Sequence, residues 1–575
     1  NVILKRTYFL FCHKCFISVC YNMNNSSSGD QNKTENTKPN ECVVESENGA
    51  IRGYVDTSDE GTFYKFKRVP YAEPPLGHLR FMPPTPISNW TGEIDCTQDT
   101  PMPISLNKTQ LGSEDCLYIE ISSPDIKPSQ PLPVMFWIGC VNYSYCFDEI
   151  YDPTALNNSG VIFVRCGFRI GPFGFLSMDD LAAPGNCGLK DIVMALKWVQ
   201  KNIKHFGGDS TNITLFGSNS GGSLAHLLIF SPSASGLFHK AIIQSACAMN
   251  NWSITLNPLK TAIELAQQVG IKKTHKHEII EELKSLPTQT IMDGFYELCL
   301  KTHDTDCVEG IFKPCIESEF EGQQAFLTKS PNNLLKSGVF NKVPMIIGSN
   351  NIEGTMLAHL TSDIYKTLKA VNFNVNSLKP FSEESKSIRT LSRQKLLRFL
   401  LGEHEPSTEA NRHQYMQMVS DYYYLYHINK SVRLHSEYAQ DSPIFYYIFN
   451  CYVEYTGIKD TNFLTGYSAE LRFLFPTKYQ GASKITGDCL TSKRMVKMWT
   501  NFAKYGHPTP EEDPLFQVTW SPVENNNRLN YLNIGYDLTV GRNPFHDRMK
   551  FWDEVHSNSE MLKCIIYFNE MGILW

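Results

Sequence analysis

Residues 213–223 read Ile-Thr-Leu-Phe-Gly-Ser-Asn-Ser-Gly-Gly-Ser, and this stretch restricts the fold more tightly than any other. An apolar run, Ile213 to Phe216, has the composition of a buried strand. It meets a glycine-flanked tight turn, and the segment Leu224-Ala-His-Leu-Leu then continues with helical character. Glycines at 217, 221 and 222 imply a turn with no room for Cβ atoms. A strand that turns this sharply into a helix lifts one side chain to the apex of the turn. Beyond residue 42 the same alternation recurs. Strand-like runs at Val134–Ile138, Val161–Arg165, Ile213–Phe216, Ala241–Gln244, Met345–Ile347 and Ile444–Phe449 are interleaved with helical periods, which predicts an α/β sheet. One predicted helix gathers Leu189, Ile192, Val193, Leu196, Val199 and Ile203. Another gathers Met495, Met498, Trp499 and Phe502 and stops at Gly506.

Composition narrows the function classes. The chain has 575 residues and a net charge of −6, with 42% hydrophobic and 19% charged residues. Apolar surface is sufficient to offset ordering entropy, so disorder does not describe the bulk of it. There is no basic excess to neutralise a phosphate backbone, which argues against a nucleic-acid partner. Seventeen cysteines, with Cys12 and Cys15 as the one C-x-x-C pair, argue against a zinc ribbon and suggest no metal or other cofactor. Together with several Asn-x-Ser/Thr sequons they favour the secretory pathway. Asn89, Asn107, Asn157, Asn251 and Asn429 are the glycosylation candidates, while Asn142 and Asn212 lie against predicted core strands. Cys140 and Cys146 could close a small disulfide, and Cys299, Cys307 and Cys315 cluster in one insertion.

Three segments are expected. Residues 1–41 comprise a partial signal-like stretch, with Lys5 and Arg6 before an apolar run broken by His13 and Lys14, and then a polar linker. Residues 42–556 form one large domain, and 557–575 a tail. No apolar run approaches the ~18 residues a membrane helix needs.

The motifs along residues 42–556 resemble the type-B carboxylesterase and cholinesterase family. Val69-Pro-Tyr-Ala-Glu-Pro-Pro75 with Leu79-Arg-Phe81, and Ser113-Glu-Asp-Cys-Leu-Tyr118, match its two N-terminal signatures. Arg169-Ile-Gly-Pro-Phe-Gly-Phe-Leu176, Pro184-Gly-Asn186, His205-Phe-Gly-Gly-Asp209 and Trp499-Thr-Asn-Phe-Ala503 follow in family order. The resemblance implies an α/β-hydrolase fold, a large mostly parallel sheet flanked by helices in a single domain with insertions, and makes residues 213–223 its nucleophile elbow. It also implies a disulfide between Cys96 and Cys116.

Ester hydrolysis on this fold needs a serine, a histidine base, an orienting carboxylate and an oxyanion hole. The family's serine falls on Asn219, its acid on Glu353 and its histidine on Tyr467. A carboxamide does not attack an ester carbonyl, and a phenol with pKa near 10 is a poor base at neutral pH. The glycine-rich oxyanion loop falls on Gly139, Cys140, Val141 and Asn142, with Ser220 after the apex. The resemblance is therefore to the family's catalytically silent members, namely neuroligin, neurotactin, glutactin and gliotactin. It implies a secreted or cell-surface adhesion protein with an extracellular protein partner, and homodimerisation through C-terminal helices. Two alternatives stand beside it. One is an ester hydrolase using Ser218 or Ser220 with His226 or His427 as base. The other is a carrier holding a small ligand in the former gorge. Choline recognition is not expected, since residues 96–116 contain no tryptophan.

Overall fold

The computed structural model describes residues 40–106, 112–146, 151–301, 310–355, 412–451, 466, 468–475 and 486–557. Thirteen strands of these residues form one sheet. In chain order they are β1 (Asn40–Ser46), β2 (Gly49–Ser58), β3 (Gly61–Pro70), β4 (Glu93–Asp95), β5 (Tyr118–Ser123), β6 (Leu132–Ile138) and β7 (Ile162–Cys166). Then come β8 (Gly208–Ser218), β9 (Lys240–Gln244), β10 (Met345–Asn350), β11 (Ile444–Phe449), β12 (Asn530–Ile534) and β13 (Leu538–Arg542). The spatial order is β1-β2-β3-β5-β7-β6-β8-β9-β10-β11-β12-β13, with β4 beside β2.

From β7 to β12 every neighbouring pair is parallel, while β1-β2-β3-β5-β7 and β12-β13 pair antiparallel. This is the α/β-hydrolase arrangement. Parallel strands are covered on both faces, so they read as continuous apolar runs. The alternation of β geometry then sorts their side chains. Val134, Phe136 and Ile138 of β6 join one core; Met135 and Trp137 join the other. In β11 the split is Ile444, Tyr446 and Ile448 against Phe445, Tyr447 and Phe449.

Five helices frame the site and close the C-terminal side of the body: α1 (Cys187–Asn202), α2 (Ser220–Phe230), α3 (Tyr426–Tyr438), α4 (Thr486–Tyr505) and α5 (His546–Ser557). The expected stripes of α1 and α4 are all buried. Helix α4 ends where Gly506 takes φ +71° and its N–H reaches Phe502 O at 2.8 Å. Helix α5 is clamped to the body by two carboxylates. Asp421, just before α3, accepts from Arg548 and from Trp552 Nε1 at 3.1 Å, and Asp553 takes both Arg433 Nη atoms at 2.8 and 2.9 Å. No helix among the described residues is long and apolar enough to cross a membrane.

Two expectations are corrected here. Cys96 and Cys116 are not bonded to each other; both are buried free thiols. They face different surroundings: Cys96 Sγ turns to Arg68 O at 3.5 Å, beside Asp95, whereas Cys116 sits against Asp191 and Arg169. Asn157 and Asn429 cannot carry glycans as they stand, being 1% and 3% exposed. The Asn157 carboxamide is spent on Ser122 and on Val161 O inside the core. Asn89 and Asn251 are exposed. Asn107 and Cys307 lie outside the described residues.

The loop after β7 is pinned to α1 by a buried ion pair. Arg169 gives Nε and Nη2 to the two oxygens of Asp191 at 2.8 and 2.6 Å, and its backbone N–H donates to the same carboxylate at 3.1 Å. The side chains are 3% and 0% exposed. Removing one partner strands a buried charge. Asp191→Ala is therefore expected to lower unfolding free energy by about 3–5 kcal/mol, read from the urea midpoint. A loss below ~1 kcal/mol would show that the pair is solvated and dispensable.

Candidate functional site

The site is built around the turn between β8 and α2. Gly217, Gly221 and Gly222 bring three elements together: a Cβ on Gly221 would lie 2.1 Å from Ile138 O, one on Gly217 2.6 Å from Gly221 C, and one on Gly222 2.8 Å from Gln244 O. Between them Asn219 takes φ 53° and ψ −122°. That region is uncommon for any residue but glycine. Its N–H donates to Gln244 O at 2.9 Å, and its C=O accepts from Ser223 N–H at 2.8 Å. The side chain does not cap α2. Nδ2 instead donates to Ser468 Oγ at 2.9 Å and to Ser218 Oγ at 3.3 Å. Oδ1 is buried and has no partner among the described residues.

From Ser218 a chain of polar groups runs inward. Ser218 Oγ donates to Glu470 Oε1 at 3.2 Å, an oxygen that also takes Ser245 Oγ at 3.3 Å and Gln244 Nε2 at 3.5 Å. Asn350 Nδ2 donates to Glu470 Oε2 at 2.6 Å and to Glu353 Oε1 at 3.0 Å, and Asn350 N–H reaches Glu353 Oε1 at 2.8 Å. Among the described residues, Glu353 thus communicates with the apex through Asn350 and Ser245, then Glu470 and Ser218. Its Oε2 is buried and without a partner among the described residues. Tyr467 lies outside the described residues, so the structure brings together two of the three expected positions, Asn219 and Glu353, at opposite ends of one polar chain.

Both carboxyls are fully buried. Burial first, and the charge of Glu470 second, push the Glu353 carboxyl up to about 8. Burial likewise raises Glu470. Two carboxylates joined by one amide cannot both ionise cheaply, so the pair holds a proton at neutral pH.

The oxyanion loop is folded on itself. Val141 N–H donates to Tyr145 O at 2.9 Å, and Ser144 and Tyr145 N–H both return to Val141 O. Asn142 and Tyr143 take φ 51° and 54°, backbone that glycine adopts freely. Tyr143 is fully buried between Phe175 and Trp252. Ser220 Oγ donates to Cys140 O at 3.0 Å, stitching the loop to the elbow. Gly139 and Cys140 are buried.

The alternative bases point elsewhere. His226 accepts Ala248 N–H on Nδ1 at 2.9 Å and meets His435 Nε2 with its own Nε2 at 2.9 Å. His427 packs edge-on against His556 and is pushed down to about 3 by burial. A cleft of about 380 Å³ opens away from the elbow, near Lys65, Lys67, Tyr118 and Arg165, whose cations are paired with Asp56, Asp99 and Glu120. No group of metal-ligating side chains occurs among the described residues.

Sequence reasoning missed Glu470, Asn350, Ser245 and Ser468 as partners in the site. A signal existed for two of them. Glu470 and Ser468 stand within three residues of Tyr467, and Ser468 takes φ 60°, backbone that favours glycine.

The Glu353 carboxyl binds its proton more tightly folded than unfolded, where the pKa is 4.5. Its contribution to stability is whole below pH 4.5 and is lost as pH rises toward about 8. Glu353→Gln should thus match the native protein near pH 5 and exceed it in urea midpoint above pH 8, the gap growing by at most ~1.4 kcal/mol per pH unit. Parallel pH profiles would show that Glu353 is already ionised.

A carboxylesterase family model matches residues 40–552. The chain is 31% identical to the juvenile hormone esterase of Tribolium castaneum, over 89% of this chain and 94% of that protein. It is 28% identical to venom carboxylesterase-6 of Apis mellifera at the same coverage. To neuroligin-2 of Mus musculus it is also 28% identical, over 89% of this chain and 67% of that protein.

Proposed function

This chain belongs to the carboxylesterase family, and we propose that it is a non-hydrolytic, cholinesterase-like member that binds an extracellular protein, secreted or at the cell surface. The observation that carries the proposal is the apex of the elbow. Asn219 occupies the position that the turn presents, and a carboxamide has no nucleophilic atom for an ester carbonyl. Its neighbours are committed: Ser220 Oγ to Cys140 O, and Ser218 Oγ to Glu470. Val141 N–H, at an oxyanion-loop position, is satisfied by Tyr145 O and is not offered to a substrate. Losing one member of such a triad costs ~10⁶ in turnover, and the oxyanion hole supplies much of what remains. Similarity to neuroligin-2 supports the adhesion half of the proposal, and self-association through the C-terminal helices belongs with it.

An ester hydrolase is the second reading. It draws on the similarity to the juvenile hormone esterase and on the Ser218–Glu470 contact, where a hydroxyl meets a carboxyl beside the elbow.

Purified protein treated with a fluorophosphonate probe and short-chain aryl esters separates the two. The expected result is no label on Ser218 or Ser220 and no turnover above buffer; labelling with turnover would establish the hydrolase. Asn219→Ser combined with Tyr467→His should remain at least ~10³-fold below a working esterase, because Val141 N–H stays bound to Tyr145 O. Strong recovery would mean that the 139–146 loop opens readily. A cell-aggregation assay tests the partner, and failure to aggregate or to capture a specific extracellular protein would count against adhesion.

A further inference from the structure

The apex residue is held in a backbone conformation with a chemical consequence of its own, independent of whether the chain hydrolyses esters. An asparagine cyclises when the backbone nitrogen of the next residue attacks its side-chain carbonyl carbon, closing a five-membered ring through Cγ, Cβ, Cα, the carbonyl carbon and that nitrogen. Ring closure requires Cβ and the following nitrogen to be eclipsed about the Cα–C bond. In an L residue Cβ lies about 120° from the backbone nitrogen about that bond. At ψ −122° the Cβ of Asn219 therefore falls within a few degrees of the Ser220 nitrogen in torsion. In a helix or strand the same torsion is roughly 80–105°, and a chain must rotate out of its regular structure to cyclise.

The surroundings of Asn219 favour the same step. The glycine-packed elbow imposes this ψ, and the hydrogen bonds of Asn219 N–H and C=O to Gln244 and Ser223 hold it. Ser220 N–H has no acceptor among the described residues. The carboxamide is 4% exposed, its Oδ1 is unpartnered, and its Nδ2, the leaving nitrogen, lies on the hydrogen-bond chain through Ser218 Oγ to Glu470.

We propose that Asn219 is a self-modification site at which the Ser220 backbone nitrogen displaces ammonia from the Asn219 side chain. The bond from Ser220 N to Asn219 Cγ forms as Cγ–Nδ2 breaks. The hydrogen lost from Ser220 N becomes the third on the departing ammonia. The product is a cyclic imide at the apex. Water then opens either imide carbonyl, leaving an aspartyl or isoaspartyl linkage at position 219. Either product puts a carboxylate at the N-terminus of α2, where the first-turn backbone N–H groups favour an anion.

The chain contains its own control. Asn158 and Ser159 form the same dipeptide on the surface, with Asn158 at φ −60° and ψ −22°, far from the eclipsed geometry. Full-length protein is incubated in mildly alkaline buffer, folded or in denaturant, digested under acidic conditions that preserve the imide, and read by peptide mass spectrometry. Ammonia loss and its rehydrated products should accumulate at Asn219 about tenfold faster than at Asn158 in the folded protein. In denaturant the two rates should converge. Equal or slower conversion at Asn219 in the folded state overturns the proposal, as does a lead that persists in denaturant, which would trace it to local sequence instead of to the elbow.

Discussion

The approach of α2 to the ends of β6 and β8 is the constraint on which the molecule rests. Three backbones converge at Gly217, Gly221 and Gly222 at distances that a single added Cβ would violate. Everything around that junction is arranged to permit it. The parallel strands bring Ile138 O and Gln244 O to the same level, the two cores bury both faces of the sheet, and residue 219 is forced into left-handed backbone whatever its side chain. The conformation belongs to the fold, and the chemistry belongs to the residue that happens to occupy it.

What occupies it here opens onto a dehydrated polar chain. Ser218, Glu470, Asn350 and Glu353 are all buried, and nearly every hydrogen-bonding atom among them finds another of the set. The exceptions are informative: Asn219 Oδ1, Asn350 Oδ1 and Glu353 Oε2 lack partners among the described residues. An unmet acceptor in a low-dielectric interior is expensive, and such groups mark either function or its remains. The shared proton of the two glutamates keeps the cost tolerable, since a neutral acid is far cheaper to bury than a second carboxylate.

Much of this was legible in the sequence, for physical reasons that can be named. Strands β6 to β11 were visible because double burial makes them apolar throughout, and α1 and α4 because one face of each is buried. The ribbon β1–β3 and the hairpin β12–β13 were not: half-exposed antiparallel strands such as Leu538–Arg542 carry mixed side chains with no strong period. Asn219 and Glu353 could be placed from local motifs. That Glu470 stands between them could not, because the contact joins residues 120 positions apart through Asn350, and nothing local encodes it. The sequons at Asn157 and Asn429 failed in the same way, since three letters specify a glycosylation acceptor but not its depth.

The clamp on α5 carries a consequence for how the chain is made. Asp421 is fully enclosed, and the guanidinium that neutralises it comes from Arg548, 127 residues later. While the ribosome is still adding those residues, the carboxylate has no counter-ion, and the helix that follows it cannot settle without burying a bare charge. β11 faces the same wait for the neighbour that β12 supplies. Final closure of this body thus waits until the segment from β12 to Arg548 has been made.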